Sequence, residues 1–518
     1  MSSHEPGHPN TEVVSAASLV ARASQSTVGS LFATQARQFP GRIALQQDQR
    51  RVTYGELALR VEALARALAQ AGVQRGDRVA ILSENRLEYL ELMLAAAFVG
   101  ASVACQNWRL GASELAHCLS LTEPRLVFVS PRHAERLVAL GLETRQVQLG
   151  GDYEAFLHDV GSAPLPDIVE PEDALLILYT SGTTGLPKGA VISHRAEIVR
   201  NMVIRAEFGI TPEDTFPAWS PLYHMGAADP SLGTLMSGGK VVTIDGFDAP
   251  RLAELVASES LGWLLLMPGM VDRFSNEVEQ RRIQPKGVKL CGVMADLVPP
   301  AEIARVTRLL GAPYANTFGA TETGCPPCSS NLIPIGVAPE RLSKQKSPFC
   351  EVRLVNADDQ DVPAGSPGEL IIRGPTLFSG YYRADSVNAL EFRGGWFHMG
   401  DVFVQNPDGT LDFVDRVKYL IKSGGENIYP AEIERVLLAD ERVADAAVVR
   451  RKDARWGEVP VAFVARRTTE LDEAQLLVRC RAELASYKQP KAIHFIALEE
   501  FPRSASGKIQ RHELEKRL

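Results

Sequence analysis

A layered α/β fold with a β-rich unit and a small α+β C-terminal domain is the architecture this sequence predicts. Three observations predict it. Short apolar runs of strand length alternate with one-faced helical patterns from Val52 to Leu310. Residues 350–414 change texture, because the turn pairs Asp358-Asp359, Asn406-Pro407 and Asp408-Gly409 separate short strands. After Arg416 the remaining chain resumes an alternation of its own.

Taken in order, residues 1–26 are rich in Ser, Ala, Pro and His and read as a flexible tail, in which Ala16 to Ala23 can form a loose helix. Thr53 and Glu56 form a capping box, and Leu57, Val61, Leu64 and Leu68 then share one helical face. Arg78 to Leu82 reads as a buried strand, and Leu90 to Phe98 as an apolar helix. Leu126 to Val129, Leu175 to Tyr179, Lys240 to Ile244 and Trp263 to Met267 have strand length, while Ala249 to Ser258 and Pro300 to Leu310 are helical. In the last part, Ile433 to Leu438 and Ala474 to Ala485 are helices. Ala446 to Val449, Val461 to Ala465 and Ile493 to Ile496 are strands. This divides the chain into a tail (1–26), a large N-terminal domain (27–415) and a small C-terminal domain (416–518).

Composition narrows the function. Lys+Arg number 55 against 63 Asp+Glu, a net charge of −8, where a nucleic-acid binder would show a basic excess. No nucleic-acid partner is expected. The longest apolar run, Leu92 to Cys105, falls short of the ~20 residues of a membrane span. The seven cysteines are sparse and irregular, which fits a reducing compartment, and the N-terminus lacks a secretory signal. A cytoplasmic location is therefore expected. Cys325-Pro-Pro-Cys328 reads as two thiols near the site, since no second ligand pair accompanies it.

The strongest chemical signal is Thr180-Ser-Gly-Thr-Thr-Gly-Leu-Pro-Lys188, which follows a buried strand. Gly182 and Gly185 permit tight turns with inward amides. The hydroxyls of Thr180, Ser181, Thr183 and Thr184 add donors, and Lys188 adds positive charge. A polyphosphate needs such a cradle of short donors. The spacing differs from Gly-x4-Gly-Lys-Ser/Thr.

This string resembles the signature loop of the adenylate-forming (AMP-binding) superfamily, and the other motifs follow in family order. Pro221-Leu-Tyr-His-Met-Gly226 resembles the second. Asn316-Thr-Phe-Gly-Ala-Thr-Glu-Thr-Gly324 resembles the segment that holds adenine and Mg²⁺, with Phe318 where the family usually has Tyr. Gly368 to Gly374 and Gly380-Tyr-Tyr382 look like a structural block. Trp396-Phe-His-Met-Gly-Asp401 resembles the ribose motif, with Met399 for a usual Thr. Asp415 to Pro430 resembles the hinge and the loop after it, and Pro502 to Arg511 the C-terminal lysine motif. Gln106 to Leu110 and Asp453 to Glu458 also match.

The resemblance, closest to the acyl-CoA synthetase branch, implies the roles. ATP would be held by Thr180, Ser181, Gly182, Thr183, Thr184, Lys188, Asn316, Thr317, Phe318, Gly319, Thr321, Asp401 and Arg416. Glu322 would bind Mg²⁺. Thr180, His224, Glu322, Lys422 and Lys508 would be catalytic, with Lys508 serving adenylation and Lys422 the thioester step. Ser423, Gly424 and Gly425 would leave room for the slim arm of coenzyme A. Lys418 would be the hinge about which the small domain swings. Tyr223, Ala228, Val293 and Met294 would line the acyl pocket, whose floor here reads Cys291-Gly-Val-Met-Ala-Asp296 in place of smaller residues. Asp229 would lie close to that pocket.

The implied reaction joins a small carboxylic acid, fatty or otherwise hydrophobic, to coenzyme A through an acyl-adenylate, and a homodimer is open to such a chain. The chain ends without an attached carrier domain, which favours coenzyme A as acceptor. The alternatives are a free-standing ligase that loads a carrier protein and a luciferase-like monooxygenase.

Overall fold

The computed structural model describes residues 15–158, 160–161, 165, 168–180, 186–424, 426–503 and 509–518. Among these, the strands form two large sheets, a hairpin, a four-stranded sheet and a five-stranded C-terminal sheet. The chain is thus mixed α/β with a small C-terminal domain, as its apolar alternation predicts.

The first large sheet runs in the order Gln146–Gln148, Leu126–Val129, Arg78–Leu82, Ser102–Cys105, Ala174–Thr180 and Lys188–Ser193. All its pairings are parallel except the last, where Lys188–Ser193 folds back on Ala174–Thr180. The eight-stranded sheet has Thr215–Ala218, Lys240–Thr243, Ser260–Leu264 and Gly287–Cys291 parallel at its centre. Antiparallel strands, Arg50–Thr53 and Leu332–Ile333, close its two edges.

The helix Leu87–Val99 lies between these sheets, touching Ser102–Cys105 and Ala174–Thr180 on one side and Ile43–Gln47 on the other. It buries all of its side chains except Phe98, the carboxylates Glu88 and Glu91 included, so it has no solvent-facing polar stripe. The run Leu92 to Cys105 splits into the end of this helix and the strand Ser102–Cys105, with Gly100 at φ +71° stopping the helix.

The helix carries a fully buried carboxylate, Glu91. Arg60 Nε donates to it at 2.7 Å and the Tyr153 hydroxyl at 2.7 Å. These bonds satisfy the charge that would otherwise oppose burial.

The capping box is formed: Thr53 accepts from Glu56 N while Glu56 accepts from Thr53 N. The strand expected at Trp263 to Met267 begins earlier, at Ser260, and ends at Leu264. Leu265 and Leu266 are as buried as the strand residues, so hydrophobicity alone does not mark where pairing stops. The helix Ala16–Ala23 is present, with Leu19 and Val20 exposed.

Residues Glu351–Val355, Pro367–Arg373, Phe397–Gln405 and Leu411–Arg416 make the four-stranded antiparallel sheet expected of the turn-rich stretch. In the C-terminal sheet Gly457–Arg466 pairs with Val443–Asp453, Ile421–Ser423 and Ile493–Phe495. Among the described residues no helix is long and apolar enough to cross a membrane.

Glu91→Ala leaves Tyr153 without its acceptor and Arg60 with Glu154 alone. The expected loss is about 2 kcal/mol. It is read as a melting temperature lower by about 2–3 °C in a thermal scan.

Candidate active site

The phosphate-loop motif is framed by the antiparallel pair Ala174–Thr180 and Lys188–Ser193. Thr180 lies opposite Lys188 in the register. Ser181, Gly182, Thr183, Thr184 and Gly185, expected to cradle phosphate, lie outside the described residues. Gly189 must lack a side chain here, because a Cβ would come within 2.8 Å of Ile177 Cγ2.

The Lys188 strand holds the segment Ser379 to Tyr382 beside it through the backbone. Val191 N donates to Gly380 O, Ser379 N to Val191 O and Tyr382 N to Gly189 O. These bonds place Tyr381 next to Lys188, whose Nζ lies 3.9 Å from the centre of the Tyr381 ring and 4.0 Å from a Glu391 carboxylate oxygen. A lysine over an aromatic face is held by the ring's negative face.

The expected adenine and metal segment forms a tight hairpin, Phe318–Ala320 with Gly324–Cys328. Gly319 is obligatory, since a Cβ would overlap Gly324 O at 1.9 Å. Glu322 sits at the hairpin's turn. Its Oε1 accepts from the Tyr381 hydroxyl at 2.7 Å, and its carbonyl accepts from Phe378 N at 2.9 Å.

Burial and the adjacent Glu322 charge push the Tyr381 hydroxyl far above its ordinary value, so it stays a donor. The second carboxylate oxygen, Oε2, would face a cation. One carboxylate with substrate phosphates is what Mg²⁺ uses, so the donor set fits it. Tyr381 was read from sequence as part of a structural block. Its role follows from a contact between residues far apart in the chain, which no local pattern records.

Phe318 packs edge-on against Phe403 at 4.8 Å between ring centres and lies tilted against Phe413 at 5.4 Å. It is only partly buried, while Thr317 is buried. Asn316 differs from the expectation of a nucleotide contact. Its amide nitrogen donates to Leu342 O and Ser343 O, and its oxygen accepts from Lys344 Nζ at 2.7 Å. Its polar atoms are spent on holding the hairpin to the next segment. Lys344, fully buried, also pairs with Asp296 at 2.6 Å.

Asp401 and Arg416 lie opposite each other on neighbouring strands, and Arg416 Nε is 2.8 Å from Asp401 Oδ1. The carboxylate expected at the ribose is therefore buried and oriented by the arginine expected at the nucleotide. Lys418 lies in the single turn Val417–Tyr419, with its Nζ 4.9 Å from the Tyr419 ring centre.

Lys422 is exposed and Ser423 buried. Gly424 has φ +60° and donates to Trp456 O. A Cβ on it would lie 2.7 Å from the Trp456 ring, so Trp456 by itself already demands glycine at this position. Gly425 and Lys508 lie outside the described residues.

Of the expected acyl-pocket residues, Tyr223 and Ala228 are buried and Val293 and Met294 partly buried. Tyr223 meets Trp108 edge-on at 6.4 Å, and Trp108 stacks on His133 at 5.4 Å. Among the described residues the buried Tyr223 hydroxyl has no hydrogen-bond partner. His224 is exposed at the N-cap of the helix Met225–Met236.

The floor string is held tightly. Tyr314 donates to Val293 O, Trp263 Nε1 donates to Gly292 O, and Met294 is forced to φ +55°. The thiols of Cys325 and Cys328 are buried in the hairpin, and burial pushes both up to about 12, so they are poor nucleophiles. Asp229 is buried and pairs with Arg200 inside the protein.

Tyr381→Phe keeps the ring under Lys188 and removes the hydroxyl that orients Glu322. The Mg²⁺ concentration needed for half-maximal activity is expected to rise by about 10-fold or more, as for other partners of metal-binding carboxylates. A titration of activity against Mg²⁺ at saturating ATP checks it.

Comparison with known proteins gives the family. The family of AMP-binding enzymes matches residues 32–382, and the AMP-binding enzyme C-terminal domain matches residues 432–508. A feruloyl-CoA synthase of Amycolatopsis is 34% identical over 497 residues, covering 95% of this chain and 99% of that protein. An indoleacetate–CoA ligase of Aromatoleum aromaticum is 34% identical, covering 92% and 95%. Among solved structures, o-succinylbenzoate CoA synthetase from Bacillus subtilis, in complex with its acyl-adenylate intermediate, superimposes with a TM-score of 0.82 at 26% identity, covering 95% and 98%. With the hairpin of Glu322, the Asp401–Arg416 pair and the Lys188 strand all in place, the chain belongs to the family of AMP-binding enzymes and is an AMP-forming acid–thiol ligase.

Proposed function

We propose that the protein is an ATP-dependent acyl-CoA synthetase whose substrate is an aromatic carboxylic acid. The observation that carries the chemistry is the meeting of Lys188, Tyr381 and Glu322, which sets a cation and an oriented carboxylate beside the phosphate-loop frame. The aromatic class is supported by relatives named for feruloyl, indoleacetate and 2-succinylbenzoate acyl groups. The aromatic wall of Trp108, Tyr223 and His133 agrees with it. Within the fatty or otherwise hydrophobic acids expected from sequence, this reading favours the aromatic ones.

In the first step an oxygen of the acid carboxylate bonds to the α-phosphorus of ATP. The bond to the β-phosphate oxygen breaks and pyrophosphate leaves. Lys188 and Lys508 would offset the negative charge that gathers there, while Asp401, oriented by Arg416, would hold the ribose. Mg²⁺, held by Glu322, would supply charge neutralisation at the phosphates. In the second step the coenzyme A sulfur attacks the acyl carbon, the carbon–oxygen bond to AMP breaks, and the thiol proton is lost. His224, exposed at the N-cap of the helix Met225–Met236, would border both reactants.

The small domain, residues 416–518, would turn about Lys418 between the two steps. Gly424 and its neighbours would then flank the pantetheine arm.

The test is pyrophosphate release over a panel of aromatic and aliphatic acids, followed by AMP release with coenzyme A, carrier protein or oxygen as second reactant. Hydroxycinnamic, indolyl or benzoic acids with coenzyme A are expected to lead. A preference for long aliphatic acids would overturn the aromatic reading, and turnover only with carrier protein or oxygen would overturn the acceptor.

Lys508→Ala is expected to slow acyl-adenylate formation by about 10²–10³ while supplied acyl-adenylate still passes to coenzyme A. Lys422→Ala is expected to do the reverse and accumulate adenylate. Single-turnover reactions that start each half separately check the division. Equal loss of both halves in either variant contradicts it.

A further inference from the structure

Behind the Glu322 hairpin lies a buried charge cluster that the reaction does not use directly. Arg200, on the helix His194–Phe208, is 1% exposed. Its guanidinium donates three ways: Nε to Thr376 O at 3.0 Å, Nη2 to Thr321 O at 3.0 Å, and Nη1 to Asp229 Oδ2 at 3.1 Å. Glu197, one turn earlier on the same helix, is fully buried beside Asp229.

Two carboxyl groups thus face one guanidinium. If both were ionised, neither Glu197 oxygen nor Asp229 Oδ1 would have a hydrogen-bond partner among the described residues, because a carboxylate only accepts. Two adjacent anions with one cation are also disfavoured in a dry interior. A single proton on Glu197, donated to Asp229, removes both faults at once. Burial and the Asp229 charge hold the Glu197 carboxyl well above its usual range, in agreement.

The carbonyls that Arg200 grips flank the metal-binding carboxylate. Thr321 immediately precedes Glu322. Thr376 lies two residues before Phe378, whose N–H is bonded to Glu322 O. The hydrogen bonds therefore close a ring, from Arg200 to Thr321, through Glu322 to Phe378, and back through Thr376 to Arg200. The far side of the hairpin rests on the same side chain. A Cβ on Gly324, at φ +75°, would lie 2.9 Å from Arg200 Cγ.

We propose that Arg200 is a positioning residue for adenylation, clamping the Glu322 loop through the Thr321 and Thr376 carbonyls, and that a protonated Glu197 hydrogen-bonded to an ionised Asp229 sets the charge that holds it. This rests on the adenylate-forming reading of the site.

The experiment uses the full chain with Arg200→Lys, Asp229→Asn and Glu197→Gln. Each is measured for melting temperature, for amide hydrogen exchange across residues 317–324, and for the two half-reactions separately. Lysine keeps the charge but lacks the fork that spans two carbonyls. Arg200→Lys and Asp229→Asn are expected to speed exchange in the hairpin, to raise the KM for Mg²⁺–ATP, and to slow adenylation by about 10-fold or more. The thioester step from supplied acyl-adenylate should be spared. Glu197→Gln keeps a donor toward Asp229 and is expected to behave as the unaltered protein in every readout.

Unchanged exchange in Arg200→Lys, or equal slowing of both half-reactions, would overturn the clamp. A Glu197→Gln protein as impaired as Asp229→Asn would overturn the shared proton. If the unaltered protein forms no adenylate with any acid, the functional reading fails, while hydrogen exchange still decides the clamp.

Discussion

The hydrogen bond from the Tyr381 hydroxyl to Glu322 joins three parts of the chain that have no sequence neighbourhood in common. Glu322 belongs to the hairpin inserted between two strands of the eight-stranded sheet. Tyr381 belongs to the segment that enters the four-stranded sheet. Lys188, over the Tyr381 ring, belongs to the edge of the six-stranded sheet. The site exists where these three sheets meet. Its geometry depends on Tyr381 being buried enough to remain a donor to Glu322.

Close backbone approach makes that meeting possible. Gly319 lets the two strands of the hairpin cross without overlap, and Gly189 lets the Lys188 strand pack on Ile177. A Cβ would overlap Gly324 O at 1.9 Å in the first case and crowd Ile177 Cγ2 at 2.8 Å in the second, so a side chain at either position would push its strand outward. It would break the register that carries Glu322 or Lys188 to the site. Rigid packing of this kind passes small displacements on to the groups it holds.

The charges beneath the site follow one rule, that a buried charge needs a partner and hydrogen bonds. Glu91 is served by Arg60 and Tyr153, Lys344 by Asp296 and Asn316, and Asp401 by Arg416. Arg200 has more acceptors than one cation neutralises, and that excess locates a retained proton on the Glu197–Asp229 pair. Where such a network reaches a loop that binds substrate, stability and positioning are carried by the same bonds.

Much of this was legible in the residues alone. The layered α/β plan follows from apolar periodicity. The capping box at Thr53, the antiparallel unit of the turn-rich stretch and the order of the motifs each depend on residues close in sequence. What the sequence by itself determined was therefore the elements and the family, and it singled out Lys188, Glu322, Asp401 and Arg416 as candidate site residues. It did not determine what each side chain meets. That Asn316 turns inward to Lys344, that Gly424 answers to Trp456, that Asp229 sits under the hairpin on Arg200, and that Tyr381 orients Glu322 were decided by tertiary structure. Each is a contact across tens to hundreds of residues, fixed by how sheets stack. Local propensity and hydrophobic period act over a few residues and carry no record of it.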